Sequence, residues 1–422
     1  MNQMRPRLSL KLLTPVALVL VSSITALVLC ESIARRVKYS AADRARGPMA
    51  LWARYNIAFQ LPLETTGCAF SDRVQPHPYL GYADKFDFTA CGQSFAKSRG
   101  IDSRYEYPVE RDKDHFSLLI LGGSVAHYLG MGSWQGRIWL EEYLNAHYRS
   151  PNGKPFRVYN GAAGGWRLPN QNIVMTLYGD AFDAFVSVDG YNETMNTQGG
   201  AAIDYVPAAL YVYLTNPPDA PWGLRAIWWL NEYRSLCVRS AVLRRSFLAY
   251  MVFDAALSRL NDNESYNAFV DQHAGRYFRL PQSWEPAKRI QWNRKKYATY
   301  IQLQAAQAHA LNSLYAHFVQ PVHEMGKTLS EEEKHLPSLI TAKAYDDVVI
   351  PGSEDARRAG APSFLLVDVF KDVKETVYAD EVHCRFDAQG ESRGFELISD
   401  RIGELLGTAW RLKPRLSRIT AR

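Results

Sequence analysis

Cysteine is scarce in this chain: five in 422 residues, at Cys30, Cys68, Cys91, Cys237 and Cys384. There is no C-x-x-C pair and no zinc-type spacing, which excludes a disulfide scaffold and a zinc module. The phosphate-cradling motifs are missing too. No G-x-x-x-x-G-K-[S/T] is present, nor a G-x-G-x-x-G opening a helix, and His323-Glu324 lacks the second histidine of a zinc-protease helix. No metal and no organic cofactor is expected. Internal repeats and low-complexity tracts are absent. With 47% hydrophobic and 22% charged residues, the composition excludes a disordered or collagen-like chain. The body of the protein also lacks an excess of either charge. The net +6 comes entirely from residues 1–47, where eight bases meet two acids, Glu31 and Asp43. The remaining bases and acids balance, so no nucleic-acid-binding face is expected.

What is present begins with Leu12 to Cys30, nineteen uncharged residues rich in Leu, Val and Ala. As a helix they span about 28 Å, close to a bilayer core. The exit Ala26-Leu-Val-Leu-Cys30-Glu31 has no small-x-small cleavage site, and Leu29 is too large for a lipoprotein cysteine at Cys30. An uncleaved membrane anchor is expected over 12–30, after a tail at 1–11. Three bases precede the span and five follow it. That count alone places the main domain in the cytoplasm. Cys68 and Cys91 flank a loop-like segment and could pair outside the cytoplasm, or be two unrelated buried thiols.

Residues 31–60 look like a helical stalk, and 61–110 like a small, turn-rich irregular subdomain. From 111 to 412 the pattern becomes α/β. Short apolar runs at Phe116–Gly123, Phe156–Asn160, Ala184–Val188, Ala316–Gln320 and Phe364–Phe370 alternate with helical stretches near Trp134–Tyr148, Pro169–Tyr178 and Ala388–Leu406. Strands of this kind belong to a parallel sheet covered on both faces. About 195–312 is too long for one crossover. It is expected as a helical insertion over one end of the sheet, with helices such as Trp228–Leu260 and Lys295–Tyr315, serving as packing bulk or as a substrate lid.

In an open parallel sheet ligands sit at the carboxyl ends of strands. The first run ends Gly122-Gly123-Ser124-Val125-Ala126, a serine in a tight turn. The second leads into Asn160-Gly-Ala-Ala-Gly-Gly165. The third ends Asp189-Gly190-Tyr191-Asn192-Glu193. Asp380-Glu-Val-His383 precedes the last helix. A second Asp-x-x-His, Asp112-Lys-Asp-His115, falls at the other end of the sheet and is taken as a chance match. In this order the four blocks resemble the SGNH (GDSL-like) hydrolase superfamily over about 112–410, the insertion excepted. The resemblance implies a flavodoxin-like three-layer α/β/α sandwich. It implies Ser124 as nucleophile, His383 as base and Asp380 as acid. The oxyanion hole would come from Ser124, Gly165 (or its neighbour Gly164) and Asn192. The first block lacks the Asp that commonly precedes the serine, and Glu193 stands where Asp often follows the asparagine. Phe318-Val-Gln-Pro321 and Glu331-Glu-Glu333 also look like membrane-tethered bacterial members. An α/β-hydrolase would accept Gly122-x-Ser124-x-Ala126, but draws its acid and histidine from separate loops.

The resemblance implies a membrane-anchored serine esterase or deacetylase acting on a small-molecule, glycan or lipid ester. It equally admits an O-acyltransferase acting on a polysaccharide hydroxyl. A non-catalytic envelope assembly protein is the third possibility. It also implies an extracytoplasmic, periplasmic domain, against the Lys/Arg count, and that placement is the one expected. Nothing in the sequence identifies protein partners.

Overall fold

The computed structural model describes residues 10–37, 39–53, 74–84, 96–194, 202–204, 222–260, 279–336 and 342–415. Two compact units share the chain. One is made of 1–73, 88–93 and 216–266, the other of 74–87, 94–215 and 267–422.

The first unit opens with helix α1 (Leu10–Val37), followed by α2 (Ala41–Arg46) and α3 (Pro48–Ala53). Among the described residues no helix is long and apolar enough to cross a membrane. The side chains of residues 10–18 and 20, which include eight of the nineteen residues of the expected anchor, lie outside the described set. So do Cys68 and Cys91.

The second unit begins with two antiparallel hairpins, Val74–His77 with Gly81–Asp84 and Ala96–Ser98 with Ile101–Ser103. They lie where an irregular subdomain is expected. Then come β1 (Phe116–Gly122), α4 (Ser124–Met131), α5 (Trp139–His147), β2 (Phe156–Ala162), α6 (Leu168–Tyr178), β3 (Ala184–Asp189) and the single turn α7 (Tyr191–Thr194). Helices α8 (Trp222–Arg239) and α9 (Phe247–Leu260) return to the first unit. There Trp52, Leu230, Cys237, Phe247, Tyr250 and Phe253 form a core together with Ala34 and Leu51. The second unit resumes with α10 (Pro286–Ala310), β4 (Leu314–Val319), α11 (Ile350–Arg358), β5 (Ser363–Leu365) and α12 (Arg393–Ala409). The stretch expected as one insertion therefore serves two cores: α8 and α9 pack with the N-terminal helices, and α10 packs against α6 and α11.

The sheet is all-parallel in the order β5-β4-β3-β1-β2. Every residue of β1 and β3 is buried, as continuous apolar runs covered on both faces require. The strand order reverses between β1 and β3, and an open α/β sheet has its ligand crevice at such a point, outside the carboxyl ends. Helix α12 packs on α5. It buries Phe395, Ile398, Ile402 and Leu406 at helical spacing, and the Ser392 side chain caps its amino end at Phe395 N. The fifth strand is shorter than the run Phe364–Phe370, because the chain turns at Leu366–Val369, where the Val369 amide bonds back to the Leu366 carbonyl. Helix α4 is not foreshadowed by the apolar pattern.

Candidate active site

β1 delivers the chain to Gly122 at the crevice, and α4 starts at Ser124. Gly123 is the residue between. A Cβ there would stand 2.2 Å from the Asn192 amide nitrogen and 3.2 Å from the Trp166 carbonyl, so only glycine lets the serine turn and the Asn192 side chain meet. The Ser124 backbone N–H, on the first residue of α4, carries the partial positive charge of a helix amino terminus.

Asp380 and His383 sit at the tip of a pinched loop. Tyr378 and Cys384 form an antiparallel bridge, with Ala379 N bonded to His383 O at 2.8 Å and Arg385 N to Val377 O at 2.8 Å. Asp380 Oδ1 accepts from Val382 N (2.9 Å) and His383 N (2.7 Å), the local side-chain-to-backbone bonding that aspartate favours in turns. Its other oxygen meets His383 Nδ1 at 2.7 Å, and His383 Nε2 meets Ser124 Oγ at 2.6 Å. The tautomer satisfying both contacts carries its proton on Nδ1 and accepts the serine hydroxyl at Nε2. Burial raises the Asp380 carboxyl pKa, but His383 and the two backbone N–H groups outweigh it and hold the pKa below the ordinary aspartate value. The His383 side chain is 18% exposed, enough to reach a ligand in the crevice. The three residues expected as nucleophile, base and acid are thus brought into one hydrogen-bonded chain.

Asn192 stands on α7, just beyond β3. One of its amide hydrogens goes to the Trp166 carbonyl at 3.0 Å. The other has no acceptor among the described residues and is available to a ligand. Gly165, the other expected donor, lies in the turn after β2 at φ +80°, a conformation natural to glycine. It directly precedes Trp166, and the Tyr82 hydroxyl donates to the Gly164 carbonyl beside it. Glu193 joins the two loops. Its carboxylate accepts from Gly190 N at 2.8 Å and from Leu168 N at 3.0 Å. Burial and the neighbouring Asp189 push its pKa up, while Arg167 opposes the shift. A glutamate in this position therefore fixes the asparagine turn against the glycine turn.

Several supporting residues were given no role in the site by the sequence. The Tyr128 ring meets the His383 ring edge-on at 5.8 Å, backed by Phe386 and Phe395. The Tyr191 hydroxyl donates to Glu381 Oε1 at 3.1 Å, tying the asparagine turn to the Asp-His loop. Glu333, fully buried with Lys327 at 2.7 Å, accepts from Val377 N (2.9 Å) and Tyr378 N (3.0 Å) and so anchors the base of that loop.

Asp112 and His115 form the same local contact, Oδ2 to Nδ1 at 2.9 Å. They precede β1, at the amino end of the sheet, remote from the crevice. Among the described residues no group of three or more His, Cys, Asp or Glu side chains could hold a metal ion. Chemically, the crevice offers a hydroxyl aimed at an imidazole that is oriented by an ionised carboxylate, with amide donors alongside. Such a set can deliver an oxygen nucleophile to an electrophilic carbon and hold the negative charge that develops. No protein-family model matches the sequence, and no curated protein matches it either.

Proposed function

We propose that this protein is a membrane-anchored serine ester hydrolase of the SGNH type, working through an acyl-serine intermediate on a glycan or lipid ester of the cell envelope. The observation that carries the proposal is the unbroken chain Ser124–His383–Asp380, with contacts of 2.6 and 2.7 Å at the carboxyl end of β1. The doubly wound strand order suits the flavodoxin-like sandwich of that superfamily.

In this reading His383 Nε2 takes the Ser124 proton as Oγ attacks the ester carbonyl carbon, and Asp380 stabilises the imidazolium that forms. The carbonyl oxygen becomes an oxyanion held by the Ser124 and Gly165 N–H groups and the Asn192 amide. The C–O bond to the alcohol then breaks, and His383 returns its proton to the departing alkoxide. Water, deprotonated by the same imidazole, attacks the acyl-serine and releases the acid and the free serine. If a sugar hydroxyl replaced that water, the protein would be an O-acyltransferase.

α1 is the anchor in this reading. Val19, Val21, Ile24, Leu27, Val28 and Leu29 are each about three-fifths exposed. They point to all sides of the helix, a pattern suited to lipid.

A fluorophosphonate probe tests the proposal. Covalent labelling of wild type and none of Ser124→Ala is the expected result, and equal labelling of the two overturns it. Product analysis with and without a saccharide acceptor separates hydrolysis from transfer.

A further inference from the structure

Where α1 leaves its apolar stretch, Ser32, Arg35, Arg36, Arg44 and Ala45 line an open pocket of about 690 Å³. Three guanidinium groups share it, with no acidic side chain in the lining among the described residues. The nearest acid along α1 is already committed: Glu31 accepts from Ser246 Oγ (2.6 Å), Phe247 N (2.7 Å) and Leu248 N (3.0 Å), capping the amino end of α9. Arg44 is held in place from behind, donating to the Tyr39 carbonyl at 2.7 Å and the Arg36 carbonyl at 3.4 Å. Arg35 lies over the Phe247 ring at 5.7 Å. Among the described residues Arg35 and Arg36 make no ion pair.

The level of the pocket identifies its occupant. Leu29 and Ile33, 61% and 51% exposed, precede Arg35 by six and two residues. At about 1.5 Å per residue the arginines therefore stand within a few ångströms of the last apolar side chains. A bilayer core ending at Cys30, the end of the expected anchor, puts the lipid phosphates at the height of the pocket. We infer that this pocket binds the phosphate of an anionic glycerophospholipid in the leaflet facing the rest of the chain, with the acyl chains lying along α1. Guanidinium groups suit the task because their planar forks engage phosphate oxygens bidentately. The inference rests on the reading of α1 as a membrane anchor.

The test uses the full chain in nanodiscs of phosphatidylcholine with and without phosphatidylglycerol, with retained lipid counted by native mass spectrometry. Wild type is expected to keep phosphatidylglycerol in preference to phosphatidylcholine. Arg35→Gln/Arg36→Gln is expected to weaken that preference about fivefold per arginine. This double variant spares the Arg44 bonds to the Tyr39 and Arg36 carbonyls, and an unchanged calorimetric transition of the N-terminal unit reports that it is folded. An unchanged preference in the folded double variant overturns the inference and leaves the anchor standing. Displacement of the lipid by inorganic phosphate alone assigns the pocket to a free anion and also overturns it. Wild type that washes from membranes at alkaline pH removes the anchor and this site together.

Discussion

At the residue scale, the crevice depends on a few short contacts that substitution can test singly. In the proposed mechanism Asn192→Ala removes one oxyanion donor, and it is expected to lower kcat by about 10²- to 10³-fold with little change in KM, measured on an activated ester. Asp380→Asn keeps the shape of the loop but no longer favours the tautomer with its proton on Nδ1. An activity loss of about 10⁴-fold is expected, checked by steady-state kinetics with folding followed by circular dichroism. Gly123→Ala places a methyl group against the Asn192 amide and is expected to cost as much as Asn192→Ala, with no further loss when the two are combined. Ser124 was legible in the sequence because it sits in a short local pattern at a strand end, and strand ends can be located from apolar runs; Asp380 and His383 were legible because they stand three apart just before the last helix. Tyr128 and Tyr191 were not, because their partners lie far along the chain. Tyr191 and Glu381, for example, are 190 residues apart. No spacing rule links residues that only folding brings together.

At the scale of elements, Glu333 anchors the base of the Asp-His loop from outside it. Burial raises the Glu333 pKa, but Lys327 and the N–H groups of Ser330, Val377 and Tyr378 outweigh it and bring it down to about 2. A folded-state pKa below the ordinary carboxylate value contributes stability that is complete above that value and is lost as the pH falls from it toward about 2. Denaturant unfolding followed from neutral to acid pH is expected to show this loss in wild type and a flatter acid limb in Glu333→Gln. Lys327→Met strands a buried carboxylate and is expected to cost about 3–5 kcal/mol. The strands of the sheet followed from apolar runs to within a few residues. Two features did not. Helix α4 opens with a functional turn and contains Gly130, so its apolar face is too short to stand out. β5 ends early because the apolar run continues past the point where the backbone turns.

At the scale of the whole molecule, two cores built from interleaved stretches of chain imply two melting events. Trp52→Ala opens the core of the N-terminal unit and is expected to lower one calorimetric transition, while the transition of the sheet unit and the Ser124 labelling stay in place. A single transition shifted as a whole would show instead that the two units melt together. Length and composition allowed more than one domain, but not that helices beyond residue 220 would join those before residue 54. Helix amphipathicity shows that a face must be covered and not which element covers it. The sheet also carries two aspartate–histidine pairs of the same sequence spacing, one at each end, and only His383 has a serine at its far nitrogen. The molecule therefore contains its own spectroscopic reference. A covalent inhibitor on Ser124 should move the imidazole resonances of His383 and leave those of His115 where they were, separating events in the crevice from any change in the solution around it.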